Sequence, residues 1–358
     1  MNDFQMSKAA DELAEKVSPF FSIYEIQQHD GKIYFFGFPK KDIRIIYQEL
    51  WTVFAEKGFE FSVRYELGEH VLVASPFGLV KEKKWINVAL LFATFFTTMF
   101  VGSLLYGADL ESVPSDILKG IPFTIAIMTV LGAHEAGHYF VAKKHGMRTS
   151  LPYFIPFPSL IGTMGAVIKH RGPIPGRKAL FDVGVSGPLI GLFASVIVTL
   201  IGLLQPPVLL TQEEHGIALG IPPLFGFIMD FIPNDGTSIN PIAFAGWAGM
   251  LVTAINLIPV GQLDGGHVLR AMIGEKASRV SAVLPAVLFS IGAYLIIFQK
   301  TDGSLWIFYS ILLIIFSAAG HPRPLNEDVP LDRKRMVLGV LTFALGLLCI
   351  TPVPIQML

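Results

Sequence analysis

Long apolar blocks separated by short polar stretches dominate the chain after residue 84. A bilayer is crossed by about 20 consecutive apolar residues, so these blocks predict transmembrane helices. The predicted spans lie at 85–106, 121–142, 179–204, 241–260, 280–298, 305–319 and 336–351. We therefore expect an α-helical polytopic membrane protein with about six or seven transmembrane helices.

One apolar stretch, residues 151–167, does not have the pattern of a helix. Helix-breaking residues interrupt it at Pro152, Pro156, Pro158, Gly162 and Gly165. A straight helix is disfavoured there, because each proline removes a backbone donor and clashes with the preceding turn. Irregular backbone is tolerated at membrane depth only where protein shields it or a cavity is lined, so we expect a re-entrant loop or hairpin.

The first 84 residues carry an ordinary mixture of charged and apolar positions. Strand patterns occur at 32–36, 59–65 and 70–74, and a helix is predicted at 41–57, where Gly58 ends it. The sequence thus predicts two domains: a small soluble N-terminal α/β domain at 1–84, acting as a docking or lid domain, and a transmembrane domain at 85–358.

Composition supports a membrane protein and excludes one class of partner. Of the 358 residues, 52% are hydrophobic and 15% charged, against roughly 25% charged in soluble domains. The net charge of −1 comes without a basic tract, so we expect no nucleic-acid binding. Because Cys349 is the only cysteine, a metal would have to be held by His, Asp or Glu.

The distribution of Lys and Arg predicts the orientation. They concentrate before the first span, between the second and third, and after the fourth, whereas the alternate loops are acidic or poor in charge. The basic loops are expected to be cytoplasmic. The polar start of the chain resembles neither a signal peptide nor a transit peptide, which favours a prokaryotic plasma membrane.

The second predicted span contains the sequence His134-Glu135-Ala136-Gly137-His138. Positions four apart share one helix face, so both histidines can direct a ring nitrogen at one metal ion. In this H-E-x-x-H pattern Zn²⁺ activates a water and the glutamate accepts its proton. Ionisable groups are costly inside a membrane and indicate function there.

A hydrolytic zinc site takes three protein ligands and leaves one position open, so a third ligand is needed. The best candidate is Asp264, at the predicted cytoplasmic end of the fourth span, which is the same membrane face as His134. Nearby helix breakers would free backbone groups to line a cavity. These breakers are Pro259, Gly261, Gly265 and Gly266.

The two motifs, HEAGH and NLIPVGQLDGGH, together resemble the site-2 protease family of intramembrane zinc metalloproteases over about residues 121–271. The resemblance implies Zn²⁺ held by His134, His138 and Asp264, with Glu135 as general base. It also implies that Asn256 helps to hold the substrate, although a helix-packing hydrogen bond is an alternative role. Residues 162–165 resemble the family's membrane-embedded hairpin, and the two ends of the chain resemble plant chloroplast and cyanobacterial relatives.

The expected function is hydrolysis of peptide bonds in or near transmembrane segments of membrane-protein substrates. Two alternatives remain at this point: a transporter in which His and Asp residues form an ion pathway, and a catalytically inactive scaffold that keeps the fold. Glu135, in the position of a general base, favours the enzyme.

Other polar residues have simpler interpretations. His145, His170 and His321 are predicted at the cytoplasmic surface, where solvated histidines need no special role. Asp182 is expected to form an interfacial ion pair with Arg177 or Lys178. Glycines 184, 187 and 191 of the third span indicate close helix packing beside the site.

Overall fold

The computed structural model describes residues 3–66, 68–76, 83–171, 174–208, 217–232, 239–318, 320, 324–327 and 329–357. Three predicted features extend beyond these ranges. His321 lies outside them, as do residue 319 at the end of the sixth predicted span and residues 77–82 before the predicted domain boundary.

The N-terminal unit is an antiparallel four-stranded sheet covered by two helices. Its strand order is β1-β2-β4-β3, and its core contains Leu13, Phe35, Phe54 and Phe61. The elements are α1 (Asp3–Val17), β1 (Phe21–His29), β2 (Lys32–Pro39), α2 (Ile43–Glu56), β3 (Phe59–Glu66) and β4 (Glu69–Pro76).

The sequence patterns identified β2, α2, β3 and β4 but missed α1 and β1. Most side chains of β1 are exposed, so the strand lacks the alternation that marks a half-buried strand. Buried residues of α1 do recur at helical spacing, at Met6, Ala10, Leu13 and Val17. The charged residues between these positions mask that pattern in the sequence.

Among the described residues, the first part of the remaining chain contains three long helices and five short strands. A 3-10 helix, Pro114–Gly120, leads directly into α4. The elements are α3 (Lys84–Leu105), α4 (Ile121–Lys144), β5 (Arg148–Thr149), β6 (Tyr153–Pro156), β7 (Thr163–Val167), β8 (His170–Arg171), β9 (Ile174–Gly176) and α5 (Arg177–Leu203).

The second part adds six helices and three strands in the stretches that the structure describes. A 3-10 turn, Gly274–Lys276, joins α8 to α9, and a π-helix, Leu295–Gln299, follows α9. The elements are β10 (Ile217–Leu219), α6 (Pro223–Met229), α7 (Pro241–Asn256), α8 (Asp264–Ile273), α9 (Ala277–Tyr294), α10 (Ser304–Ala318), β11 (Pro324–Asn326), α11 (Arg333–Leu348) and β12 (Ile355–Met357).

Within the described ranges, four helical stretches are long and apolar enough to cross a membrane: Lys84–Leu105, Pro114–Lys144, Arg177–Leu203 and Asp264–Gln299. The chain is thus a mostly helical integral membrane protein. The predicted count of six or seven spans is not confirmed. Helices α7, α10 and α11 have only 16, 15 and 16 residues, or about 24 Å of rise at most.

The fourth predicted span ends earlier than expected. Helix α7 stops at Asn256, and a helix begins again at Asp264. Pro259 disfavours helical backbone in the preceding residue, and Gly261 has a φ of +49°, which glycine adopts readily. The break places Asp264 at the start of a new helix.

Residues 151–167 form the predicted hairpin, since β6 pairs antiparallel with β7. Helix α3 holds this hairpin in place. Asn87 Nδ2 donates hydrogen bonds to the carbonyls of Leu151 and Pro152, at 3.0 Å each. Thr97 Oγ1 donates to the carbonyl of Gly162 at 2.7 Å, and a Cβ at Gly162 would lie 2.6 Å from the Thr97 carbonyl. Glycine is therefore required at this contact.

Helices α4, α5 and α7 form the centre of the helical region. Their shared core includes Phe123, Val130, Leu192, Trp247 and Met250. Close packing of these side chains stabilises the bundle through van der Waals contacts, because lipid tails are as apolar as the core, and it fixes α4 between α5 and α7.

Candidate metal centre

Helix α4 carries both histidines of the motif on the face turned toward α5. Their Nε2 atoms lie 3.1 Å apart, as expected for side chains one helical turn apart. Each residue is 5% exposed. Two imidazoles in this position are costly to bury unless their nitrogens find partners.

Asp264, the first residue of α8, completes the cluster. Its Oδ2 lies 3.2 Å from Nε2 of His134 and 3.2 Å from Nε2 of His138. The approach depends on small residues, because a Cβ at Gly265 would lie 2.2 Å from the carbonyl of Leu257. The structure thus brings together the three metal ligands implied by the sequence.

The donor set fits a zinc ion. Imidazole nitrogen and carboxylate oxygen are ordinary zinc ligands, and bonds of 2.0–2.1 Å in a tetrahedral shell place ligand atoms about 3.3 Å apart. The three observed separations are 3.1, 3.2 and 3.2 Å. A cation between these atoms also accounts for the close approach of His134 and His138, which would otherwise place two ring nitrogens against one another.

The tautomer of His138 follows from its other ring nitrogen. His138 Nδ1 lies 2.8 Å from the carbonyl oxygen of Val183 on α5, so Nδ1 carries the proton and donates. The lone pair of Nε2 is then free for a metal. A second bond that fixes a ligating histidine in this way raises its basicity and orients its ring.

The glycines of α5 form the wall behind the histidines. A Cβ at Gly187 would lie 2.0 Å from His138 Nε2, and one at Gly191 would lie 3.0 Å from His134 Nδ1. At Gly184 it would lie 3.3 Å from the carbonyl of Asp264. The close packing predicted for these glycines is therefore directed at the metal ligands themselves.

Glu135 and Asn256 both border the cluster. Glu135 is 6% exposed, and it lies close enough to His138, to Asp264 and to the backbone N–H of Ile168, just after β7, for these groups to act on its carboxylate. Asn256 Nδ2 lies 3.5 Å from His134 Nε2. All five residues singled out from the sequence thus meet at one place.

His170 differs from the expectation of a solvated surface histidine. Its Nδ1 is buried and has no hydrogen-bond partner among the described residues. The charges of His138 and Asp264 act on its ring. Burial lowers the pKa of His170 to about 4, because a low-dielectric surrounding disfavours the charged imidazolium. The ring is therefore neutral at pH 7.

Two arginines anchor the helix that carries Asp264. Arg270 Nη2 donates to both carboxylate oxygens of Glu327, at 2.7 and 2.8 Å. Arg177 donates to the last carbonyls of α8, Ala271 at 2.8 Å and Met272 at 2.7 Å. Sequence reasoning missed both contacts, since neither belongs to a motif and Glu327 is distant along the chain.

The family can now be assigned. Residues 122–299 match the family model described as Peptidase family M50. The chain carries a domain of peptidase family M50. The matched region contains every residue of the cluster, and it confirms the resemblance to the site-2 protease family drawn from the two motifs.

Two curated relatives of this M50 domain protein come from plants. The chain is 34% identical over 251 residues to "Probable zinc metalloprotease EGY2, chloroplastic" of Arabidopsis thaliana, covering 67% of this chain and 43% of that protein. It is 32% identical over 254 residues to the protein of the same name from Oryza sativa subsp. indica, covering 67% and 44%. The chain thus spans less than half the length of these relatives.

One solved structure is also similar, the "Site-2 Protease from Methanocaldococcus jannaschii". The similarity covers 66% of this chain and 92% of that chain, with 17% identity and a TM-score of 0.33. Values this low carry no argument about the fold, so the family assignment rests on the sequence match.

Proposed function

We propose that the protein is an intramembrane zinc metalloendopeptidase that hydrolyses peptide bonds in or near transmembrane segments of membrane-protein substrates. The observation that carries this proposal is the meeting of His134, His138 and Asp264 beside Glu135, within a mostly apolar helical bundle. The names of the relatives, which are zinc metalloproteases, support it.

Each residue of the cluster has a role in the proposed reaction. His134, His138 and Asp264 hold Zn²⁺, which supplies Lewis-acid chemistry that activates water and polarises the scissile carbonyl. Glu135 accepts the proton of the attacking water and returns it to the leaving amine nitrogen. Asn256, beside His134, holds the substrate backbone.

The substrate must present an accessible carbonyl, and a helix hides its carbonyls in backbone hydrogen bonds. Local unwinding therefore precedes cleavage, and helix-breaking residues near the cleavage point should favour it. Strand β7 of the hairpin packs against α4, and the backbone N–H of Ile168, just after β7, lies close enough to act on the Glu135 carboxylate. An unwound segment would thus meet protein backbone, rather than lipid, on this side of the site.

The arrangement in the membrane is part of the proposal. We infer a soluble docking or lid domain at residues 1–84, a transmembrane domain at 85–358 with six or seven spans, and a site open to the cytoplasmic side. The named relatives are chloroplastic, so they give no support to the prokaryotic plasma membrane expected from the sequence.

The test is cleavage of a panel of tagged single-span membrane proteins by wild type and by Glu135→Gln, with bound zinc assayed in both. The substitution removes the proton acceptor and leaves the three ligands intact. We expect zinc in both proteins and a loss of cleavage of at least about 10²-fold in the variant. Glu275→Gln, at an exposed glutamate after α8, is the matched control and should cut like wild type.

Three results would count against the proposal. Equal cleavage by wild type and Glu135→Gln would remove the general base from the mechanism. Absence of zinc from both would remove the metal site. Binding of zinc without cleavage of any panel member would favour an inactive scaffold.

A further inference from the structure

Helix α2 of the N-terminal unit lies against the end of α4, the helix that carries both histidines. A Cβ at Gly146, just after α4, would lie 3.0 Å from Cβ of Ala55 and 3.4 Å from Nε1 of Trp51. Gly146 has a φ of +67°, a conformation that favours glycine. The turn therefore approaches α2 closely, and it follows His138 by about 12 Å of helix.

The same helix also contacts the start of α5. It packs against β9, which leads directly into α5. Helix α5 supplies the carbonyl of Val183 that orients His138, and its glycines border both imidazoles. The N-terminal unit thus touches the element that fixes where α5 begins.

A third contact leads to α8. Asn326 of β11 is 6% exposed, and its Nδ2 donates to the carbonyl of Arg44 in α2 at 3.2 Å. The next residue, Glu327, accepts two hydrogen bonds from Nη2 of Arg270. Arg270 follows Asp264 by about 9 Å of helix. Two adjacent residues therefore connect α2 to the helix of the third ligand.

Together these contacts reach every helix that supplies or orients a metal ligand. The ligand atoms of α4 and α8 come from segments far apart in the chain and lie at separations of 3.1 to 3.2 Å. A metal shell accepts deviations of only about 0.2 Å in its bond lengths. A unit that contacts the ends of α4, α5 and α8 at once restrains their relative positions.

We propose that the N-terminal unit is a positioning domain for the metal centre: docking of α2 on Gly146, β9 and Asn326 holds α4, α5 and α8 at the spacing that binds Zn²⁺. This inference rests on the metal site of the proposed function, and it gives the unit a role beyond that of a docking or lid domain. Undocking lowers the zinc affinity. Because coupling between two equilibria is reciprocal, bound zinc strengthens the docking by the same factor.

The first test disrupts the contacts in the full chain. Ala55→Glu places a charged side chain against Gly146, and Ala55 is not among the described core residues of the N-terminal unit. Asn326→Ala removes the hydrogen bond to Arg44 and leaves the backbone pairing of β11 in place. Thr52→Glu adds the same charge at an exposed position of α2 and is the matched control.

Zinc affinity is measured by competition with a chelator, and visible absorption of the Co²⁺-loaded protein reports the geometry of the metal shell. We expect Ala55→Glu and Asn326→Ala each to bind zinc about 10-fold more weakly and to change the Co²⁺ spectrum. Thr52→Glu should match wild type in both. A contact that only stabilises the fold would leave the spectrum of the folded protein unchanged.

The second test measures the docking itself and needs no disruptive substitution. In Ala55→Cys the thiol lies at the contact with Gly146, whereas in Thr52→Cys it lies at the exposed position of the same helix. The native Cys349 is buried. We expect zinc to slow maleimide labelling of Ala55→Cys by about 10-fold, the factor that reciprocity requires, and to leave labelling of Thr52→Cys unchanged.

Failure of this inference is separable from failure of the proposed function, because neither test involves cleavage. A wild type that binds no zinc would overturn the proposed metal site and this inference together. If wild type binds zinc and both disrupting variants keep its affinity and its Co²⁺ spectrum, the positioning role alone is refuted. Equal weakening by Thr52→Glu, or labelling of Ala55→Cys at one rate with and without zinc, would refute it as well.

Discussion

The metal ligands show how residue chemistry alone can define a site. Two histidines four positions apart on a helix were recognisable without any structure, and the need for a third ligand pointed to Asp264. The carboxylate adds a negative charge that balances the cation in a buried setting. Removing that charge should weaken metal binding even where the shape of the side chain is kept.

We therefore expect Asp264→Asn to lose most of its zinc on dialysis against a chelator concentration that leaves wild type loaded. The neutral amide is a poorer ligand, and the two imidazoles alone form an incomplete zinc shell. Metal analysis by mass spectrometry gives the readout. Asp230→Asn, at an exposed aspartate, should retain zinc; full retention by Asp264→Asn would exclude Asp264 as a ligand.

Residues that act through their backbone or through burial were harder to recognise. Val183 orients His138 by its carbonyl oxygen, and every residue has such a carbonyl. His170 resembled a surface histidine because it lies in a polar loop. The structure buries its Nδ1, and no sequence pattern encodes that burial.

At the scale of elements, the packing of α5 against α4 decides whether the site can form. The glycine spacing indicated a close approach, and the structure places that approach at the two imidazoles. A side chain at these positions would occupy the space of a metal ligand. Helix–helix contacts built on small residues are common in membranes for this reason.

The matching prediction is that Gly187→Ala abolishes zinc binding and cleavage, whereas Gly132→Ala preserves both. The added methyl at residue 187 would lie 2.0 Å from His138 Nε2, and at residue 132 the nearest atom, of Phe154, is 4.0 Å away. Both glycines lie within helices, where alanine is the better helix former. Zinc content and cleavage by Gly187→Ala at wild-type levels would show that the contact is not critical.

Element boundaries also differed from the sequence prediction. Hydropathy predicted one span over residues 241–260, which includes α7 and the apolar residues after it. In the structure, Pro259 and Gly261 interrupt the helical backbone in this region. Apolar composition predicts that a segment is buried or lipid-exposed. It does not define where a helix ends.

At the scale of the whole molecule, contacts distant in sequence join the helices around the site. Asp182 pairs with Arg335 of α11, 153 residues away, through two hydrogen bonds of 2.7 Å, and with His145 at the end of α4 at 2.9 Å. The expected pairing with Arg177 or Lys178 was wrong, because Arg177 turns to the end of α8 instead.

This ion pair should couple α5 to α11 energetically. In a double-mutant cycle with Asp182→Asn and Arg335→Met, we expect a coupling free energy of roughly 1–2 kcal/mol, since the pair is bidentate but partly solvated. Equilibrium unfolding in mild detergent measures it. Lys334→Met, at the exposed neighbouring position, should show no coupling to Asp182→Asn. The prediction would be contradicted if the changes in unfolding free energy caused by Asp182→Asn and Arg335→Met simply added.

The N-terminal unit is linked to the helix that carries Asp264 through the segment at residues 326 and 327. Asn326 Nδ2 donates to the carbonyl of Arg44 at 3.2 Å, and the adjacent Glu327 binds Arg270 on the helix of Asp264. Strand β11 also pairs with β9, immediately before α5. These contacts join elements that lie far apart along the chain.

The sequence by itself determined the chemistry of this protein: apolar blocks that specify a membrane environment, and a motif whose spacing on a helix brings two histidines to one face. These properties depend on residue type and local periodicity. The tertiary structure alone decided the contacts between distant segments: Val183 with His138, and Arg335 with Asp182. Such contacts follow from how the helices pack and where they end. Both depend on residues that are far apart in sequence, so local sequence patterns do not reveal them.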